Sequence, residues 1–274
     1  MIKKTLLVFS VVLLFGAFVY SASASHSWGN YHWARTGNPF TLKLGDNVSS
    51  LWDSYLGVAS SDWTTSSVLD TMIVAGQSKG NCKPTKGRVE VCNKAYGNNG
   101  WLGLAQIWVS GSHITQAVSK MNDTYFNTAT YNTPAWRQFV ICQEVGHTFG
   151  LNHQDENFNN VNLGTCMDYT SDPDGTLADP DQLTNEHPNT HDYDQLKTIY
   201  SHFDSFTSVL SSVFNKKSSA SVSVSDDSID NDIDVSDAKE WGKETRKDKS
   251  GKGSLYERDL GKGNKVFTFV IWTQ

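Results

Sequence analysis

Within the run from Cys142 to Glu156, CQEVGHTFGLNHQDE, five residues have types and spacing suited to a metal ion: Gln143, Glu144, His147, Gly150 and His153. On a helix, side chains four apart lie on nearly the same face, so Gln143 and His147 stand one turn apart and both can touch one ion. Glu144 lies one step round the helix, placed to hold a water beside the metal rather than the metal itself. His153 cannot reach the same ion without a change of chain direction. Gly150 supplies that change, because glycine takes left-handed backbone angles freely. The chemistry open to such a set is hydrolysis by a metal-activated water with Glu144 as general base. The weak point is Gln143, whose neutral amide oxygen is a poorer donor to zinc than the usual His, Cys, Asp or Glu.

These residues need a helix through 143–147. Pro134 suits its first position and Thr133 or Asn132 its cap; Trp136, Phe139, Val140, Val145 and Phe149 are its apolar residues, and Gly150 ends it. Upstream, Ser25 to Leu44 reads as aromatic and irregular. From Asp46 to Ser60 the apolar residues recur at helical spacing, with Asp46 or Asn47 as cap. Strand-like runs follow at Val68–Val74, Gly87–Cys92, Leu102–Val109 and Ile114–Met121. His113 falls in a turn between two of them and reads as a surface histidine. Residues 155–190 are polar and irregular, and a last helix is expected from Asp192 to Phe214.

The remaining sequence defines a boundary at each end. Lys3 and Lys4, an apolar run and Ser21-Ala22-Ser23-Ala24 have the design of a signal peptide spanning 1–24. Its removal takes two lysines from a net charge of −6 and leaves −8. An acidic chain of this kind has no electrostatic reason to seek nucleic acid or an anionic membrane. Residues 215–251 are rich in Ser, Asp and Lys and read as a disordered linker. Residues 252–274 read as a β-hairpin too short to span a membrane, which should pack on the body, 25–214, or on a partner. Four cysteines allow three pairings. Cys82 with Cys92, closing a short polar loop, and Cys142 with Cys166, each beside a piece of the metal-binding set, are favoured over a cysteine-rich metal site.

The spacing of Glu144, His147, Gly150 and His153 resembles the metzincin clan of zinc endopeptidases, with glutamine where the clan's first histidine stands. Cys166-Met167-Asp168-Tyr169 resembles the clan's methionine-bearing turn beneath the metal. The segments CQEVGHTFGLNHQDE, GTCMDYT and HDYDQL are similar to a group of secreted microbial metzincin-like proteins that carry this glutamine. The resemblance covers about residues 25–214. It implies an α+β catalytic domain with a twisted mixed sheet, an active-site helix, a Met-turn and a C-terminal helix. It also implies a zinc ion held by Gln143, His147 and His153, and Glu144 and Tyr169 as catalytic residues, Tyr169 facing the oxyanion. A polypeptide substrate would add as a strand to the edge at Leu102–Val109, and a secreted, extracellular monomer is expected.

Other readings stay open beside this one. The cleft is expected to serve as a non-catalytic binding surface if Gln143 fails to hold metal, or His187 or His191 to supply the missing ligand. Asp155 is a candidate acceptor for His153. Asp172, Asp174, Asp179 and Asp181 are candidate calcium ligands, though turn formation explains them. Asn47 and Asn122 are candidate glycosylation acceptors in a eukaryotic host.

Overall fold

A period-two pattern opens the folded chain. Phe40, Leu42 and Leu44 are buried and Thr41 and Lys43 half-buried, so this stretch forms a strand, not the irregular segment or helix start expected. The computed structural model describes residues 26–78, 80–177, 182–210 and 237–274. The expected signal peptide, residues 211–214 of the expected last helix, residues 215–236 of the expected linker, Asp179 and Asp181 lie outside them.

Among the described residues, nine strands make one mixed sheet. β1 (His32–Trp33), β2 (Phe40–Asn47), β3 (Leu69–Ala75), β4 (Val89–Lys94) and β6 (His113–Asn122) pair in parallel. Helix α1 (Asp53–Thr64) is the crossover between β2 and β3. It starts later than its apolar spacing predicts, because Asp46 and Asn47 stay paired in the sheet. Leu51 is 55% exposed, and the buried face is Trp52, Leu56, Ala59 and Trp63.

The other half of the sheet is antiparallel. β5 (Trp101–Ser110) pairs with β6 on one side and with β9 (Asn264–Trp272) on the other, and β8 (Gly253–Gly261) and β7 (Lys243–Lys247) complete it. The C-terminal segment is thus a three-stranded extension of the main sheet. Residues 237–251, expected as part of a disordered linker, instead form a 3₁₀ turn at Ala238–Glu240 and strand β7. Trp241 is the reason: it is 1% exposed and packs with Trp101, Leu104 and Val270 on the face of the sheet turned away from the helices.

A short helix α2 (Asp123–Phe126) precedes helix α3 (Pro134–His147), which crosses under β5, β6 and β9. The last helix, α4 (Thr190–Ile199), is shorter than the expected 192–214. Leu196 and Tyr200 are buried, but beyond them Phe203, Phe206 and Leu210 are 62, 49 and 43% exposed, so the second half of the apolar stripe is not covered. Polar contacts take the chain instead: Asp204 N–H donates to Arg35 O and Ser208 N–H to Ala34 O, both at 2.9 Å. Disulfides join Cys82 to Cys92 and Cys142 to Cys166, as expected of a chain that meets an oxidising compartment. No helix among the described residues is long and apolar enough to cross a membrane.

Candidate metal centre

Helix α3 starts where Thr133 accepts a hydrogen bond from Trp136 N–H and Pro134 takes the first position. Every residue from Ala135 to His147 is buried, so its polar side chains have only protein for company. Gln143 and Glu144 are fully buried. Neither polar side-chain atom of Gln143 and neither oxygen of Glu144 makes a hydrogen bond of standard geometry, though the Gln143 amide still acts on the Glu144 carboxyl and opposes its rise. Burial pushes the Glu144 carboxyl well above the ordinary carboxylate range. It lies against β5 where residue 103 is glycine: a Cβ there would come within 2.8 Å of Glu144 Oε1 and 2.5 Å of Val140 Cγ1.

After α3 the backbone turns at Gly150, φ +99°, held by Tyr200 Oη donating to Phe149 O and Trp33 Nε1 to Thr148 O, each at 2.8 Å. The reversal brings His153 back to His147, with their Nε2 atoms 2.8 Å apart. His147 Nδ1 lies 2.9 Å from Leu151 O, and His153 Nδ1 lies 2.6 Å from Glu156 Oε1. A carbonyl and a carboxylate can only accept, so both Nδ1 atoms carry protons, and with both rings neutral the two Nε2 atoms present lone pairs to one another. Burial, with His153 alongside, holds His147 well below the ordinary histidine range, so a second proton there is disfavoured. Two facing lone pairs, with the buried Gln143 amide one helical turn before His147, form an arrangement that either a shared proton or a metal ion would relieve. Tetrahedral ligands about zinc stand about 3.3 Å apart, so the two rings, at 2.8 Å, would part by about 0.5 Å to admit one. His147 and His153 have donor atoms of the right type for such an ion, and Gln143 is the unbonded polar side chain on the same helical face as His147.

The acceptor on His153 is Glu156, not the Asp155 expected from sequence. Asp155 turns instead to Glu156 N–H and to Asn160. Burial alone would raise Glu156, but the His153 hydrogen bond and Arg246 of β7, 3.7 Å away, outweigh it and leave the carboxyl below its usual range. His26 also went unread: its Nδ1 is 3.0 Å from Asn152 O, and burial lowers it to about 4. Nothing local marks it, since the contact spans 126 residues.

His187 and His191 do not complete the pair. His187 is bound to Asp62 at 2.7 Å, and the His191 ring stacks on His26 beside Asp192. Among the described residues no third His, Cys, Asp or Glu makes a metal-sized group with His147 and His153. Asp172 accepts from Thr176 and Leu177 N–H and so forms its own turn, while Asp174 accepts from Thr176 Oγ1. The amides of Asn47 and Asn122 are spent on internal hydrogen bonds, Asn122 from a fully buried position, so neither presents a free glycosylation acceptor.

The turn carrying Met167 is fixed to the site by Gln154 N–H donating to Met167 O at 2.6 Å and by the Cys142–Cys166 disulfide. Tyr169 is fully buried, its ring 4.5 Å from that of His153. Its hydroxyl donates to Val270 O at 2.7 Å. The edge of β5 is not free for a substrate strand, because β9 occupies it, with Ala105 opposite Phe269 and Leu104 opposite Val270. Phe269 stacks on His147, ring centroids 4.1 Å apart. Phe267, Phe269 and Ile271 are buried in the main core, since alternate β9 side chains face the helices.

No family model matches this chain, and no curated protein matches it. Among solved structures it is similar to high choriolytic enzyme 1, a hatching enzyme zinc-protease from Oryzias latipes (Medaka fish), at 10% identity and a TM-score of 0.37, over 64% of this chain and 96% of that one. A likeness of that extent decides nothing about activity.

Proposed function

We propose that this chain is a secreted zinc endopeptidase of metzincin type, held closed in this conformation by its own C-terminal strand. The observation that carries the reading is the convergence of the Nε2 atoms of His147 and His153, 2.8 Å apart, at the end of the helix that also carries the buried, unbonded side chains of Gln143 and Glu144. Gln143 Oε1 and the two Nε2 atoms would hold the ion. Zinc, when bound, supplies Lewis acidity toward water and a peptide carbonyl.

The remaining work falls to the chain's own residues. Leu151 O and Glu156 fix the two imidazoles in the tautomer that turns Nε2 inward. Glu144 is the general base, taking a proton from the attacking water on a carboxylate oxygen and passing it to the leaving amine nitrogen. In the closed site burial disfavours its charged form; water entering an opened cleft favours the carboxylate again. Tyr169 is the oxyanion donor. Its present partner is the carbonyl of an extended strand paired antiparallel to β5, so Val270 stands where a substrate carbonyl would. Substrate polypeptide binds by replacing β9 along β5.

One observation favours a second reading, a non-catalytic extracellular protein: three apolar side chains of β9 are integral to the core, so the strand resists leaving. A protease assay on the full chain separates the two. Chelator-reversible cleavage of an unstructured protein, lost in Glu144→Ala, supports the enzyme. Zinc-loaded protein that never cuts, or Glu144→Ala that cuts equally well, rejects the mechanism.

A further inference from the structure

A second convergence of histidines lies apart from the first. His32 opens β1 and His113 opens β6, directly paired in the sheet, and the chain leaving α4 brings His202 and Asp204 onto them. Asp204 is oriented through one oxygen: Oδ2 accepts from Arg35 N–H at 3.1 Å and from Arg35 Nη1 at 3.0 Å. Oδ1 faces the histidines, 3.1 Å from His113 Nε2, 3.4 Å from His32 Nε2 and 3.9 Å from His202 Nε2. His32 and His202 Nε2 are 3.1 Å apart.

The tautomer of His32 is set as it is in the first site. Its Nδ1 lies 2.7 Å from Asn30 O, which can only accept, so a neutral His32 turns a bare lone pair on Nε2 toward a second imidazole nitrogen and a carboxylate oxygen. Two acceptors, His32 Nε2 and Asp204 Oδ1, thus lie 3.4 Å apart with His202 Nε2 3.1 and 3.9 Å from them, a set that a proton on His202 or a divalent ion among the three satisfies. The separations match the edges of a tetrahedron around a divalent ion with ligands at about 2.0–2.2 Å, roughly 3.3–3.6 Å. Imidazole with one carboxylate suits zinc and its first-row neighbours rather than calcium or magnesium. The outer contacts such ligands need are present, Asn30 O on His32 and Arg35 on Asp204. A surface cleft lined by Asn30, His32, Ser112, Ser201 and His202 gives access.

We propose that His32, His202 and Asp204 form a second site for a zinc-class divalent ion, with His113 bound to the Asp204 carboxylate beside it. Its role is a clasp. Residues 201–210 form neither helix nor strand and bury few of their large apolar side chains, so an ion at this point would pin that segment to β1 and β6. The site shares no residue with the Gln143 centre and does not depend on it.

The test is zinc stoichiometry of the full chain after chelator treatment and reloading with zinc chloride, with His202→Ala as the main variant because its side chain is half exposed. The expected result is one equivalent fewer in His202→Ala than in the wild type, and a zinc-dependent rise in melting temperature that this variant lacks in part. Asp204→Asn, which keeps an oxygen for Arg35, should lose the same equivalent. His153→Ala loses a different one, and His153→Ala/His202→Ala loses both. Equal zinc uptake by wild type and His202→Ala, or uptake requiring millimolar zinc, overturns the proposal and leaves a proton-linked imidazole–carboxylate cluster.

Discussion

Phe269 lies flat on His147, the two rings 12° from parallel with centroids 4.1 Å apart. A strand at the far end of the sequence thereby covers the histidine on which the proposed metal chemistry depends, and Tyr169 is tied to the next residue of the same strand. Truncating that ring uncovers the site. Phe269→Ala is predicted to raise chelator-sensitive cleavage of an unstructured substrate above the wild-type level while lowering stability by about 3–5 kcal/mol. A fluorogenic protein substrate and a denaturant titration read the two effects. A loss of stability without a gain in activity would mean that the strand is structural only.

Gln143 offers the metal a neutral amide oxygen. Gln143→His replaces it with an imidazole on the same helical face as His147. Zinc affinity is predicted to tighten on the order of tenfold, equivalent to about 1.4 kcal/mol. Competition with a chromophoric chelator measures it, and unchanged affinity would place Gln143 outside the ligand set.

Glu156 orients His153 through the 2.6 Å contact at Nδ1. Glu156→Gln keeps the shape but removes the charge that fixes the tautomer, and the expected cost is about 10–100-fold in zinc affinity. Asp155→Asn should leave zinc affinity unchanged, since its carboxylate faces Glu156 N–H and Asn160. Equal effects of the two variants would refute the assignment.

His187 is held above its ordinary value by the hydrogen bond to Asp62, against the opposing effect of partial burial. A histidine raised in the folded state contributes stability that is complete below about pH 6.5 and is lost as pH rises through the folded value. The pair is half exposed, so the contribution is about 0.5 kcal/mol. His187→Gln should therefore destabilise the chain slightly at pH 5.5, approach the wild type at pH 9, and bind zinc as well as the wild type. Chemical denaturation at the two pH values and a zinc titration check this.

What could be read from the sequence was local. The spacing of Gln143, Glu144, His147 and Gly150 lies on one helix and its exit, so Pro134 at the start and the turn at Gly150 were enough to place α3. β3 to β6 carried apolar runs between turn residues and fell close to their observed bounds. What stayed hidden depends on contacts across long stretches of chain. Trp241 turns part of an apparent linker into a strand only because Trp101 and Val270 receive it. The expected helix through 214 stops at Ile199 because Arg35 and Ala34 capture the chain from the other end of the sequence. That β9 fills the edge of β5, and that His32, His113 and His202 meet, are facts of topology that no spacing within one segment encodes.

The most direct measurement is diffraction at the zinc absorption edge from crystals of the chain grown with zinc. An anomalous peak within about 2.0–2.2 Å of His147 Nε2, His153 Nε2 and Gln143 Oε1 is the predicted result. No peak there, with the two imidazoles joined by a proton and the Gln143 amide still unbonded, would contradict the account.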